Sequence, residues 1–264
     1  MAHDLVMVGG GNMGAALLGG LIGSAWAPAD RLAVVEVLAV RRTELGEQFP
    51  GITVSGAMVG ADGAVIAVKP GDVPAAVSAA VAAGARRVLS IAAGVSIAAL
   101  QAAAGDEVAV VRAMPNTPAL VGKGAAAIAG GPTATDDDLD WAESILGAVG
   151  IVVRVPESHL DAVTGLAGSG PAYVFLVAEA LIEAGVLAGL ARPVADALVT
   201  QLLVGSAALL ADAGDPARLR ANVTSPGGTT AAGLQVLEHH GVRAAFLGAV
   251  EAATARSRAL GQPH

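Results

Sequence analysis

The chain has 264 residues, which is enough for one large domain or two ordinary ones, each with its own hydrophobic core. Apolar residues make up 54% of the chain but aromatic residues only 2%, so that core must consist mainly of small aliphatic side chains. The formal net charge of −8 argues against nucleic acid or an anionic membrane as the main partner, because both bind basic surfaces.

The cysteine and histidine content limits the kinds of redox and metal site that the chain can form. The chain has no cysteine, which excludes disulfides, a thiolate nucleophile and zinc–thiolate or iron–sulfur sites, and which fits a cytoplasmic protein. The five histidines show no metal-ligand spacing, so no metal is expected; His239 and His240 are predicted to lie on the surface and His264 is isolated. The uncharged stretch at residues 5–29 is not predicted to be a signal or membrane segment, because seven glycines and a proline interrupt it.

The N-terminal segment predicts a buried strand, a glycine turn and a helix. The uniformly apolar run at residues 5–8 is typical of a strand buried on both faces of a parallel sheet. Gly9, Gly11 and Gly14 follow it in the GxGxxG spacing and open a segment rich in small residues. In this context the spacing is the dinucleotide-binding fingerprint, in which the pyrophosphate lies at the helix N-terminus.

A second predicted strand at residues 31–37 carries an acidic residue, Glu36, near its end. Glu36 lies about 22 residues beyond Gly14, where an acidic side chain usually holds the adenosine ribose hydroxyls of the cofactor. The alternative is a solvated charge at the end of a strand. We expect Glu36 to hold the ribose hydroxyls.

Strand and helix patterns continue to alternate up to about residue 156, which favours an α/β fold. Further strands are predicted at residues 64–68, 87–91, 108–112, 124–129 and 151–155, and helices at 71–83, 96–103 and, after the capping residue Thr135, 136–148. The loops at residues 67–70, 92–95 and 114–118 all follow strands. Because parallel strands end at one edge of a sheet, these loops are expected to form the floor of a nicotinamide pocket.

Helical periodicity replaces the alternation after Pro156. Helices are predicted at residues 171–187, 193–212, 216–223, 229–240 and 242–260. The fold class is therefore α/β, with a Rossmann-type domain at residues 1–157 and a smaller all-α domain at 158–264. The stretch at residues 172–184 carries only the charges of Glu179 and Glu183, so this half is expected to bury its apolar surface by dimerisation.

Two segments of the helical half have the composition of helix starts. Residues 224–230 (TSPGGTT) place a proline and two glycines before an apolar helix, with Thr229 or Thr230 as its N-cap. Such a turn directs backbone N–H groups outward and binds a small carboxylate without a basic side chain; the alternative is an ordinary capped turn. Ser169, followed by Gly170 and Pro171, is predicted to cap a second helix start.

The motifs together resemble those of the pyrroline-5-carboxylate reductases. The resemblance spans nearly the whole chain in order and is carried by residues 8–14, 67–70 (AVKP), 114–118 (MPNTP), 163–173 (VTGLAGSGPAY) and 223–238 (VTSPGGTTAAGLQVLE). It implies reduction of 1-pyrroline-5-carboxylate to proline, the last step of proline biosynthesis, with NADPH or NADH. It also implies a homodimer that interlocks through the helical domain and often assembles further.

The resemblance assigns roles to individual residues. Thr230 would be the catalytic hydroxyl beside the ring nitrogen, while Ser225 and the N–H groups of Gly228 and Thr229 would hold the substrate carboxylate. The residues that would contact the cofactor are Gly9, Gly11, Asn12, Met13 and Gly14 at the pyrophosphate, Glu36 at the adenosine ribose, and Ala67, Val68, Lys69, Pro70 and Asn116 around the nicotinamide and its ribose. Family members that use NADPH often carry Ser, Asn or Arg near the end of the second strand, so Glu36 leaves the choice of cofactor open.

Two other functions fit part of the sequence. A β-hydroxyacid dehydrogenase has the same layout but uses a catalytic lysine in its second domain, and this chain has no lysine after Lys123. A non-catalytic dinucleotide-binding protein would keep the glycine fingerprint but would not need the turn at residues 224–230. Because the cofactor motifs precede residue 120 and this turn lies beyond residue 223, neither half alone is expected to be catalytic.

Overall fold

The N-terminal part of the chain builds one eight-stranded sheet in the computed structural model, which describes residues 3–261. The strands lie in the order β3-β2-β1-β4-β5-β6-β7-β8, and all neighbours are parallel except β6 and β7, which are antiparallel. The carboxyl ends of β1 to β6 therefore share one edge of the sheet. The strands are β1 (His3–Val8), β2 (Leu32–Val35), β3 (Thr53–Ser55), β4 (Ala61–Ile66), β5 (Arg87–Ser90), β6 (Ala109–Met114), β7 (Gly124–Gly130) and β8 (Gly150–Arg154).

Helices cover both faces of this sheet, which explains the uniformly apolar strands. Along β1, Leu5 and Met7 pack into one core with helices α1 and α5, while Val6 and Val8 pack into the opposite core with α3 and α4. A strand covered on both sides cannot alternate apolar with polar residues. The helices of this part are α1 (Asn12–Gly23), α2 (Ala39–Gln48), α3 (Val73–Ala82), α4 (Ile97–Ala104), α5 (Asp136–Gly147) and α6 (Leu160–Val163).

The predicted elements are confirmed, with strand ends shifted by at most three residues and helix ends by at most two. Helix α5 begins with a capping box between Thr135 and Asp138, as its sequence predicts. Three elements of the sheet part, α2, α6 and β3, were not predicted. Helix α2 buries only Leu45, and β3 has three residues that pair with β2 alone, so neither leaves a periodic apolar pattern.

The chain divides into two compact units. The first contains the chain up to Ser169 and the stretch from Glu251 onward; the second is Gly170–Val250. We call them the sheet unit and the helical unit. The sequence places a boundary near residue 157, where the alternation ends, whereas Leu160 beyond it packs against Ala127 and Ala129 of the sheet.

The helical unit consists of four helices and the start of a fifth. The helices are α7 (Gly170–Leu187), α8 (Arg192–Ala213), α9 (Pro216–Asn222), α10 (Thr229–His239) and α11 (Val242–Leu260), whose last turns belong to the sheet unit. Many large apolar side chains of α7 and α8 are exposed in the single chain. The stretches Glu157–Leu187 and Arg192–Ala213 are apolar enough, over a sufficient length, to cross a membrane, although composition alone supports that reading only weakly. These exposed apolar side chains require another surface that buries them.

The predicted N-cap at Ser169 is wrong. Ser169 has helical backbone angles (φ −85°, ψ −21°), and its N–H donates to the carbonyl of Thr164 at 2.8 Å. This bond spans five residues because Thr164–Gly168 forms a π-helical turn directly after α6. The N–H of Ser169 is thus used within the backbone, and α7 begins at Gly170 directly after the π-helical turn instead of after a serine cap.

Candidate active site

The glycine turn after β1 requires glycine at two of its three fingerprint positions. Gly9 has a φ of +107°, and a Cβ there would lie 2.5 Å from the carbonyl oxygen of Ala67. A Cβ at Gly14 would lie 2.2 Å from the carbonyl oxygen of Gly9. The two glycines therefore let the turn pass close to β4 and let α1 pack against the turn.

The remaining fingerprint glycine leaves space beside the helix start. Gly11 is the N-cap of α1 in an extended conformation, and a Cβ there would meet no described heavy atom within 4 Å. Asn12 and Met13 form the first turn of α1, whose N–H groups have no carbonyl partner within the helix. This combination of open space, N–H donors and the positive end of a helix dipole fits a cofactor pyrophosphate.

Glu36 lies directly beyond β2 and turns its side chain toward the glycine turn. Its Oε2 accepts a hydrogen bond from the N–H of Gly10 at 3.0 Å, and its Oε1 accepts one from the N–H of Leu38 at 2.9 Å. The structure thus brings Glu36 together with the glycine turn, as a ribose ligand requires. The sequence did not single out Gly10, where a Cβ would lie 2.4 Å from a Leu45 methyl group.

The three predicted loops lie at the edge formed by the carboxyl ends of β4, β5 and β6. The N–H of Ala67 donates to the carbonyl of Val8 at 2.8 Å, which ties the first loop to the end of β1. Val68 is half-buried, and Lys69 and Pro70 are exposed at the start of a short helical turn. The backbone of this loop therefore lies next to the glycine turn.

The Asn116 amide makes its hydrogen bonds within the protein, which the sequence did not predict. The resemblance places Asn116 beside the nicotinamide and its ribose. In the structure, however, its Nδ2 donates to the carbonyl of Ala167 at 3.1 Å and its Oδ1 accepts from the N–H of Ala125 at 2.8 Å. The side chain is nearly fully buried. Asn116 therefore fixes the third loop against β7 and the π-helical turn, and its contact with a cofactor stays a prediction.

A partly buried ion pair that the sequence did not reveal supports the second loop. The Arg112 guanidinium donates to Oε1 of Glu157 at 2.9 Å, and the same oxygen accepts the N–H of Ile97, the first residue of α4, at 2.7 Å. Glu157 thereby links the end of β6 to the helix that follows the loop. Neither residue lies in a recognisable motif, because their separation of 45 residues is bridged only by the fold.

The turn at residues 224–230 has the predicted glycine geometry within the helical unit. Gly227 has a φ of +70°, and the N–H of Gly228 donates to the carbonyl of Ser225 at 3.0 Å. A Cβ at Gly228 would lie 2.4 Å from the Oγ of Ser225, so a side chain there would displace this hydroxyl. Helix α10 begins at the next residue, Thr229.

The predicted N-cap of α10 is wrong, and this correction frees two hydroxyl groups. Gly228 is the N-cap, so neither Thr229 nor Thr230 caps the helix. The N–H of Gly228 already donates to Ser225, whereas the helix offers no carbonyl partner to the N–H groups of Thr229 and Thr230. Ser225 and Thr229 are exposed and Thr230 is half-buried. One turn thus carries three hydroxyls and outward N–H groups, which suits a carboxylate.

Histidine and acidic side chains give no sign of a metal centre in residues 3–261. Within that range no group of three or more His, Cys, Asp or Glu side chains could hold a metal ion. His239 and His240 are exposed, and their rings meet edge to face with centroids 5.5 Å apart. His264 lies outside the range that the structure describes.

Comparison with known proteins assigns the chain to a family. Residues 157–260 match the family model described as pyrroline-5-carboxylate reductase dimerisation, and residues 4–94 match the one described as NADP oxidoreductase, coenzyme F420-dependent. A pyrroline-5-carboxylate reductase from Synechocystis is 45% identical over 99% of this chain and 100% of its own length. The chain belongs to the pyrroline-5-carboxylate reductase family.

Solved structures of the pyrroline-5-carboxylate reductase family share this fold. The enzyme from Coxiella burnetii has 33% sequence identity and a TM-score of 0.92, with 100% of both chains covered. The Plasmodium falciparum enzyme, solved with NADP bound, has 30% identity and a TM-score of 0.84, with 98% of both chains covered. The predicted family and fold class are confirmed. The dimerisation match also accounts for the exposed apolar helices of the helical unit, because a second copy would cover them.

Proposed function

We propose that the protein reduces 1-pyrroline-5-carboxylate to proline with NAD(P)H. The observation that carries this conclusion is the 45% identity with a pyrroline-5-carboxylate reductase over 99% of the chain. The glycine turn at Gly9 to Gly14 and the turn at residues 224–230 supply the two binding sites that this reaction needs, one for a dinucleotide and one for a carboxylate.

The substrate carboxylate is held by the helix start at residues 224–230. Ser225 donates its hydroxyl, and the N–H of Thr229 adds a backbone donor at the positive end of the α10 dipole. The resemblance also assigns the N–H of Gly228 to the carboxylate, but that group already donates to Ser225. The N–H of Thr230 is better placed to take its role, because it has no partner within the helix.

The reaction places modest demands on the protein. The cyclic imine is protonated at nitrogen, and the carbon of its C=N bond accepts a hydride, so that a proton and a hydride together give the ring N–H and C–H bonds of proline. The reduced nicotinamide supplies that hydride when the cofactor is bound. We assign to the Thr230 hydroxyl the hydrogen bond that holds the ring nitrogen in line, since alignment is the main requirement.

The cofactor is held by the sheet unit. Gly9, Gly11, Asn12, Met13 and Gly14 surround the pyrophosphate, and Glu36 holds the adenosine ribose. Ala67, Val68, Lys69 and Pro70 flank the nicotinamide and its ribose, and Asn116 keeps the third loop in place beside them. The open space at Gly11 and the close packing at Gly9 and Gly14 support this assignment.

The protein works as a homodimer on a small-molecule substrate. We further propose that the dimers assemble into larger particles, as the family resemblance implies, and that the enzyme is cytoplasmic. Neither nucleic acid nor a membrane is expected as a partner. The net charge of −8 supports this expectation, and dimerisation accounts for the apolar helices without a membrane.

The test of the proposed function is NAD(P)H oxidation that depends on added pyrroline-5-carboxylate, with formation of proline. We expect Thr230→Ala to lower kcat/KM about 10- to 150-fold, because a hydrogen bond to a charged nitrogen contributes roughly 1.5–3 kcal/mol. Cofactor affinity should stay unchanged, since Thr230 contacts substrate only. Thr200→Ala, the same change on exposed α8, is the matched control. An unaltered kcat/KM in Thr230→Ala would remove Thr230 from the site.

A further inference from the structure

We infer that Glu36 makes this protein bind NADH in preference to NADPH, an inference that rests on the proposed use of a nicotinamide cofactor. The two cofactors differ only in the 2′-phosphate on the adenosine ribose. In this fold, the residue just beyond β2 is the one that meets the ribose. The contacts around Glu36 decide which of the two it accepts.

The Glu36 carboxylate is fixed in place before a cofactor binds. Its two oxygens accept hydrogen bonds from the N–H groups of Gly10 and Leu38, and its own N–H donates to the carbonyl of Ser55 at 3.0 Å. A carboxylate oxygen accepts two hydrogen bonds, so each oxygen keeps one acceptor position for a ribose hydroxyl. The same carboxylate repels a phosphate at that position, and its two hydrogen bonds oppose a movement away.

The two arginines that follow are already engaged with the protein. The Nε of Arg41 donates to the carbonyl of Gly10 at 2.8 Å, and its Nη1 lies 2.7 Å from Glu44. The Nη1 of Arg42 donates to the carbonyls of Glu36 and Val37 at 2.9 and 2.8 Å. These bonds hold both guanidinium groups against the backbone of the glycine turn and of residues 36 and 37, so only the N–H groups that they leave over could meet a 2′-phosphate.

The charges near this position also balance. The segment carries two carboxylates, Glu36 and Glu44, and two guanidinium groups, Arg41, which pairs with Glu44, and Arg42, which donates to the Glu36 carbonyl, so these charges sum to zero and leave no excess positive charge for a phosphate. Beside them Val37 and Leu38 are exposed, which offers an apolar surface next to the ribose position. The charge balance fits an uncharged ribose better than a phosphorylated one, whereas the apolar surface suits the adenine ring that both cofactors carry.

The experiment measures cofactor binding without substrate, by isothermal titration calorimetry with NAD⁺ and NADP⁺. We expect wild-type protein to bind NAD⁺ at least about tenfold more tightly. Glu36→Gln keeps the size of the side chain but removes its charge, so the ratio should fall, mainly through tighter NADP⁺ binding. Glu47→Gln makes the same change at an exposed position of α2 and should leave the ratio unchanged.

The outcomes separate this inference from the proposed function. Equal or tighter binding of NADP⁺ by wild-type protein overturns the inference, and so does a ratio that Glu36→Gln leaves unaltered. The wild-type ratio tests the inference even if the variant does not fold. Substrate-dependent oxidation of either nucleotide confirms the reductase activity independently, whereas absence of turnover with both overturns the proposed function and leaves the binding ratio as a separate result.

Discussion

The two units differ in how far their apolar side chains are exposed to solvent. In the sheet unit, Leu5, Met7 and Leu89 are almost fully buried between two helical layers. In the helical unit, Leu187 and Leu198 are 91% and 58% exposed, although the composition is equally apolar. The sheet unit therefore completes its core alone, whereas the helical unit needs a second copy, in agreement with its match to a dimerisation family.

The anion site proposed in each unit nevertheless has the same parts. Both sites are helix starts whose N-cap is a glycine in an extended conformation, Gly11 in the sheet unit and Gly228 in the helical unit. They differ in what surrounds the glycine. A Cβ at Gly11 would point into open space, whereas one at Gly228 would collide with Ser225. The first turn leaves open space at its glycine, whereas the second holds the Ser225 hydroxyl against its glycine.

The largest effect is expected from replacing glycine inside the first turn. In Gly14→Ala the new methyl group would lie 2.2 Å from the Gly9 carbonyl oxygen, so the turn and α1 must separate. We expect the free energy of unfolding to fall by about 3 kcal/mol and cofactor binding to be lost. Thermal unfolding and calorimetric titration with NAD⁺ measure the two effects.

Gly11→Ala is the matched control for Gly14→Ala. Its methyl group meets no described atom, so the free energy of unfolding should change by less than about 1 kcal/mol. Cofactor affinity should still fall, because the methyl group takes the space assigned to the pyrophosphate. If Gly11→Ala keeps full affinity, the pyrophosphate does not lie at this helix start.

A charge on the exposed face of α8 should separate the dimer. Leu198→Glu places a carboxylate where a second copy is expected to pack, and a buried unpaired charge costs several kcal/mol. We expect association at least about 100-fold weaker, with a species near the 25.6 kDa chain mass in analytical ultracentrifugation.

Val40→Glu makes the same kind of change in the sheet unit. Val40 is 74% exposed, but it belongs to a unit that completes its own core. This variant should sediment like the wild-type dimer. Dissociation of both variants, or of neither, would contradict the contrast between the two units.

The sequence predicts the architecture well because the decisive patterns are local. Buried strands form continuous apolar runs, and proline or glycine marks most helix ends. Prediction failed where the sequence carries no local signal. Helix α2 was missed because it buries only Leu45, and the π-helical turn was missed because it leaves no mark in the composition. The contacts of the last turns of α11 are also non-local: Ser257 donates to Asp161 of the sheet unit at 2.7 Å across 96 residues.

The candidate site shows the same limit. The positions of Glu36 and Asn116 follow from motif spacing, but their hydrogen-bond partners do not. Gly10 lies 26 residues before Glu36, and Ala167 lies 51 residues after Asn116. Which atoms of a polar side chain remain available to a ligand depends on such long-range partners. Residue types and spacing therefore predict where a site lies, but they do not predict which of its polar atoms can contact a ligand.

The smallest effect is expected where the two units are alike, at exposed ion pairs. In the sheet unit, Arg154 on β8 donates to Glu143 at 2.8 and 2.9 Å; in the helical unit, Arg243 donates to Glu238 at 2.7 to 3.0 Å. These hydrogen bonds hold the pKa of both glutamates below the usual value of 4.5. Because solvent screens such pairs, Arg154→Ala and Arg243→Ala should each lower the Tm near pH 7 by no more than about 4 °C.

The pH dependence of these two variants follows from the direction of the pKa shifts. A carboxyl group whose pKa is lower in the folded state than in the unfolded state stabilises the fold fully above the unfolded value, and this contribution disappears as the pH falls through the folded value. The Tm difference between wild-type protein and either variant should therefore be largest near neutral pH and shrink from about pH 4.5 downward. Scanning calorimetry between about pH 7 and pH 3 measures it. A difference that persists or grows in acid would mean that the arginines stabilise the fold through packing of their aliphatic stems instead of through charge.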